Sequence, residues 1–98
     1  MNLVKPHGMT KNEAKEWVDK QLPELLDQFG SSVQGVKHHW EGDTLHFSFA
    51  LKLAGQINGV LGVNDTQYAL DVPLNFRQRL FEGKARAAMV RWLDENLG

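Results

Sequence analysis

The chain carries four histidines and no cysteine as its starting inventory for metal binding or acid–base chemistry. His39 and His46 fall in two alternating stretches joined at Gly42-Asp43, so a hairpin there sets them opposite each other on the outward face. Two imidazoles across a strand pair can chelate a divalent metal, but a catalytic site needs a third protein ligand. Asp43 sits in the turn and Glu41 beside it, and neither is a convincing third. The pair reads as two solvated histidines, with a metal chelate as the alternative, and neither metal nor cofactor is expected. His38 should face inward near Phe47, sharing a hydrogen bond rather than acting as a base. The lack of cysteine excludes a thiolate zinc site, a cysteine nucleophile and a disulfide scaffold. No serine stands in a nucleophile-elbow pattern and no paired carboxylates mark a site. Gly55, Gly59 and Gly62 fall in a hairpin and strand, whereas a phosphate loop needs a strand-to-helix junction. Gly59 is expected to let a helix side chain, Trp17 or Trp92, approach the sheet. No catalytic residue is assigned, and the expectation is a protein that is not an enzyme.

The elements that would position these residues follow from periodicity. Thr10 and Glu13 have the spacing of a capping box, and Ala14, Trp17, Val18, Leu22, Leu25, Leu26 and Phe29 recur at helical steps up to Gly30. This predicts a helix over 10–29, kinked near Asp19 because Pro23 removes a backbone donor. Residues 1–9 read as an entry segment able to add a short edge strand. From about 32 to 74 the period changes to two, most clearly over Thr44 to Leu53. Turns at Gly42-Asp43, Ala54-Gly55-Gln56 and Asn64-Asp65 place apolar residues opposite apolar residues in all three hairpins. They pair Val36 with Phe49, Phe47 with Val63 and Leu61 with Tyr68. After Pro73, with Asn75 as cap, Leu80, Phe81, Ala85, Ala88, Met89, Trp92 and Leu93 predict a second helix of about 20 residues.

The fold class is therefore α+β: a single domain over 1–98, ordered α-β-β-β-β-α, with a four-stranded antiparallel meander and both helices on one face as a two-layer sandwich. The other face is left open. The predicted pairing puts Ala50, Val60 and Ala69 in its middle row, flanked by Ser48, Gly62 and Gln67 on one side and Lys52, Asn58 and Asp71 on the other. Such a small, flat, mildly apolar surface fits a second copy of the chain, so a homodimer through these nine residues is one reading and a solvated face the other. No aromatic is expected there to stack bases, which disfavours RNA. The basic side of the last helix reads as solvated. Trp17, Trp40, Phe47, Phe49, Phe81 and Trp92 are expected to fill the space between sheet and helices, which would leave little room for a ligand.

Composition agrees with a folded globule: 98 residues, 42% hydrophobic, 23% charged, with a formal net charge of -1. That balance lacks the positive field of nucleic-acid binders, so no nucleic acid is expected as partner. The longest apolar runs are far below the roughly 20 residues of a membrane span, and the chain reads as cytoplasmic.

Taken together, Pro6-His7-Gly8 before a helix, Trp40-Glu41-Gly42-Asp43-Thr44-Leu45-His46-Phe47, Gly55-Gln56-Ile57-Asn58-Gly59 and a strand closing on Leu70 to Leu74 resemble a small bacterial family, the polyhydroxyalkanoic acid system proteins. The resemblance covers nearly the whole chain. It implies association with the storage of polyhydroxyalkanoate, a polyester kept in cytoplasmic granules, beside synthase and granule-coat proteins. It implies no activity and carries no catalytic residue onto this sequence. The function expected is a non-enzymatic accessory or interaction protein, with granule-associated proteins or a second copy as partners. The alternative is a small binding module for a hydrophobic acyl-type ligand held between sheet and helices.

Overall fold

A computed structural model describes residues 1–27, 30, 33–52, 55–80 and 82–97. The elements are β1 (Asn2–Pro6), α1 (Lys11–Asp27), β2 (Val33–Glu41), β3 (Thr44–Leu51), β4 (Gly55–Val63), β5 (Gln67–Asp71), α2 (Phe76–Arg79) and α3 (Glu82–Leu97). They build an α+β sandwich on an antiparallel sheet of order β1-β5-β4-β3-β2.

The expected meander is present, but the sheet has five strands rather than four. β1 pairs with β5 along its whole length, Leu3 opposite Leu70 and Lys5 opposite Tyr68. Its alternation is weak in sequence because Lys5 shares the inward face with Leu3. That lysine is tolerated there by an ion pair with Asp94 of α3. Because β1 and β2 occupy opposite edges, α1 has to cross the sheet between them.

α1 begins as its sequence dictates. The Thr10 amide donates to Glu13 Oε1 and the Glu13 amide to Thr10 Oγ1, both at 3.2 Å, closing the capping box. The Thr10 amide first, and the Thr10 hydroxyl after it, hold the Glu13 carboxyl below its ordinary range. Pro23 lies inside an unbroken helix. Of the expected apolar stripe, Phe29 and the side chains of Leu25 and Leu26 lie outside the described residues.

Three hairpin details depart from the sequence pairing. In β2–β3 the register holds from Glu41 to Lys37, with His38 opposite Phe47, but shifts between Lys37 and Gln34. Gly35 has φ +63 in that bulge, and Val36 is exposed instead of meeting Phe49. His38 is also exposed. In β3–β4 Leu51 faces Gly55 and Phe47 faces Gly59, so the turn lies earlier than Ala54-Gly55-Gln56; Leu53 and Ala54 are outside the described residues. In β4–β5 Val63, not Leu61, faces Tyr68. There Asn64 Oδ1 accepts from the Thr66 and Gln67 amides, which moves the turn one residue on. Each of these last two shifts moves a partner by an even number of residues, so every side chain keeps its predicted face.

The single last helix is replaced by two. Asn75 Oδ1 accepts from the Gln78 amide while Gln78 Oε1 accepts from the Asn75 amide, which caps the one turn of α2. Leu80, 75% exposed, follows that turn, and α3 starts afresh at Glu82. Ala88 is exposed on α3, while Trp92 is buried. Phe81 and the side chain of Ala85 lie outside the described residues. No helix among the described residues is long and apolar enough to cross a membrane.

Candidate functional site

Packing is uneven along the sandwich. At one end Ala14, Val18, Leu45, Val63 and Tyr68 form a buried cluster, with Trp17 and Trp40 against it. His7 locks this end: its Nδ1 accepts from the Met9 amide at 3.0 Å, its Nε2 donates to the Asn64 carbonyl at 2.8 Å, and its ring lies 5.1 Å from that of Tyr68. The imidazole is thus a clasp between the start of α1 and the β4–β5 turn. Tyr68 donates its phenol to the Ala14 carbonyl at 2.7 Å, and burial pushes its pKa up to about 12. On the rim, the Lys11 ammonium beside Asp43 holds that carboxyl below its ordinary range, with Lys15 adding to it.

Beside this cluster a gap is left between the layers. Of the aromatics expected to fill the space, Trp17, Trp40, Phe47, Phe49 and Trp92 do not close it, Phe81 being outside the described residues: a cavity of about 190 Å³ runs between the sheet and the facing sides of α1 and α3. Trp17, Phe47, Phe49 and Trp92 line it, and Phe47 and Phe49 are only half-buried although they face the helices. Two features keep it open. The tip of the Phe47 ring lies over Gly59, where it would clash with an added Cβ, and the ring stacks with Phe49 at 6.2 Å. The close approach at Gly59 therefore comes from the neighbouring strand, not from a helix tryptophan. Trp17 and Trp92, with ring centroids 5.5 Å apart, brace α1 against α3 above the sheet.

The lining is almost wholly hydrocarbon, with a few polar side chains. Gln78 donates its amide to the Gln56 carbonyl at 3.0 Å. Lys5 is held by Asp94. Gln21, on the inner side of α1, buries its Oε1 without a hydrogen-bond partner among the described residues. A cavity of this size, apolar with a buried acceptor, suits a small hydrophobic molecule carrying one polar group. Periodicity places Phe47 and Phe49 inward but carries no information on whether facing side chains meet, so the cavity was not legible. Gln21 sits one turn beyond Trp17 and Val18, and a glutamine on that stripe was the available signal.

Of the nine open-face positions, the eight that lie in strands share one face by their pairing, in altered rows. Val60 lies between His46 and Asp71, Gly62 between Thr44 and Ala69, Ser48 faces Asn58, and Ala50 faces Gln56. Ala50, Val60 and Ala69 are therefore not one row, because the hairpin registers moved. Gln67 pairs with Pro6, and Lys52 lies just past β3. β1 extends this face, bringing Val4, 56% exposed, next to Ala69.

His39 and His46 pair as expected, their rings stacked at 5.1 Å with planes 9° apart. Glu41, passed over in sequence, reaches both: its oxygens lie 3.5 Å from His39 Nε2 and 3.3 Å from His46 Nε2. Nearly parallel rings aim their in-plane lone pairs side by side rather than at one point. No group of three or more His, Cys, Asp or Glu among the described residues is arranged to hold a metal.

Searches of curated proteins and of solved structures found no match. One family model does match, over residues 1–97, and by that match the chain belongs to the polyhydroxyalkanoic acid system protein family.

Proposed function

We propose that this protein is a non-enzymatic accessory of polyhydroxyalkanoate storage, cytoplasmic and associated with granules or granule proteins, and that it works by binding rather than turnover. Family membership supports the storage context. The observation that carries the binding mode is the apolar cavity beneath α1 and α3. Tyr68, which lines it, is committed to the Ala14 carbonyl, and His7, at the closed end, to two backbone partners. A fluorescent fusion in a polyester-accumulating cell tests the storage role. Signal on the granules supports it, and a diffuse signal both there and in a non-accumulating control removes it.

A second reading is favoured by the same cavity: a binding module for a hydrophobic acyl-type ligand. The open face of Ser48, Ala50, Lys52, Asn58, Val60, Gly62, Gln67, Ala69 and Asp71 is proposed as the dimer surface, joined by exposed Val4. Ala69→Arg would set a charge at its centre and should yield a folded monomer by sedimentation. A sedimentation coefficient identical to that of the parent protein refutes the dimer.

A further inference from the structure

The geometry points to a specific occupant for the cavity: a short hydroxyalkanoyl chain, its hydrocarbon among the aromatic and aliphatic walls and its hydroxyl donating to Gln21 Oε1. This rests on the ligand-binding reading above and adds the chemistry of the ligand.

Three observations combine. The cavity measures about 190 Å³, and a cavity of roughly 150 Å³ lined by Leu, Ile and Phe accommodates benzene, so the space suits about six to nine non-hydrogen atoms. Its walls are Phe47, Phe49, Ile57, Met89 and Leu93 among others, which select hydrocarbon. Gln21 lines the same space, and its Oε1, shut off from solvent, has no partner among the described residues. A buried acceptor left unpaired costs free energy that a ligand donor recovers. An ester or ketone oxygen only accepts and cannot recover it. An ammonium donates, but would carry an unpaired charge into hydrocarbon. A hydroxyl donates without charge. A lone water is a poor substitute, because a buried water typically makes about three hydrogen bonds. Of the other polar side chains in the lining, Gln78 already donates to the Gln56 carbonyl and Lys5 is paired with Asp94. A saturated chain bearing one hydroxyl is the simplest molecule that meets both demands. Hydrolysis of the polyester for which the family is named releases such hydroxyl-bearing chains, since its ester oxygens are the hydroxyls of the monomers.

The test compares methyl 3-hydroxypentanoate with methyl pentanoate, two neutral esters that differ by one hydroxyl, each titrated into the full chain. Binding is followed by nuclear magnetic resonance of the indole N–H groups. Trp17 and Trp92 line the cavity, whereas Trp40 does not and is bonded to Asp19 at 2.9 Å, so it serves as internal control. The expected result is movement of the Trp17 and Trp92 signals, with about tenfold tighter binding of the hydroxy ester. In Gln21→Leu, which replaces the amide with hydrocarbon of similar size, the hydroxyl preference should vanish while the plain ester binds at least as well. Equal affinity of the two esters in the parent protein overturns the hydroxyl inference and leaves the acyl-binding reading standing. A preference that survives in Gln21→Leu overturns the assignment to Gln21. If neither ester moves Trp17 and Trp92, the ligand-binding reading itself fails, and this inference with it.

Discussion

Tyr68 is the only tyrosine in the chain, so its proton can be followed without interference from another phenol. It is buried, its hydroxyl is 2.7 Å from the Ala14 carbonyl, and burial raises its pKa from 10.0 to about 12. In the unfolded chain the phenol titrates near its ordinary value of about 10. The folded protein therefore holds this proton more tightly. Its contribution to stability is complete below about pH 10 and is lost as the pH rises toward 12. An offset of about two pH units corresponds to roughly 3 kcal/mol, a large share of the 5–15 kcal/mol typical of a domain. The assay is phenolate absorbance against pH, with circular dichroism recorded on the same samples and a urea-unfolded reference. The reference should titrate near 10, and the folded protein well above it, either with an intact fold or together with alkaline unfolding. Tyr68→Phe should lose about 1 kcal/mol at neutral pH, the worth of the bond to Ala14, and should show less alkaline destabilisation than the parent. A phenolate midpoint near 10 with the native dichroism unchanged would refute the reasoning, because it would mean that the phenol is hydrated in the folded state.

Two further outcomes follow from contacts in the same sandwich. Gly59→Ala places a methyl group within the Phe47 ring, so it should destabilise by about 1–3 kcal/mol in urea melts and drive the ring into the cavity; Phe47→Leu added to it should restore much of the loss, and a neutral Gly59→Ala would show that the ring does not lie on that glycine. His7→Ala removes both clasping hydrogen bonds and the contact with Tyr68, for which we expect a loss of roughly 3 kcal/mol and faster exchange of the Met9 amide hydrogen; unchanged exchange there would contradict the Nδ1 bond.

The secondary structure was legible where one local rule acted alone. Thr10 and Glu13 announced the start of α1, and the alternation of Leu45, Phe47 and Phe49 announced β3, because a cap and a pleat are properties of a few neighbouring residues. β1 was less visible: its inward Lys5 spoils the alternation and is supported by Asp94, a residue far away in sequence. The break before α3 escaped the helical pattern because the Asn75–Gln78 cap satisfies only one turn and Glu82 begins another. The role of His7 could be suspected from Pro6-His7-Gly8 as turn chemistry, but its partner Asn64 lies 57 residues away.

By itself the sequence determined which face the residues of β3, β4 and β5 take, since a side-chain period of two survives the even shifts seen in β3–β4 and β4–β5, whereas the bulge at Gly35 broke the alternation in β2. It determined the α+β class and the family as well. Only the tertiary structure decided which residues stand side by side on the open face, because register depends on where each turn closes. It alone opened a cavity among aromatics that composition would have packed solid. Whether facing side chains meet depends on the separation of two layers, and that separation is set by the Trp17–Trp92 brace and by Phe47 lying over Gly59, contacts between residues that no local pattern relates.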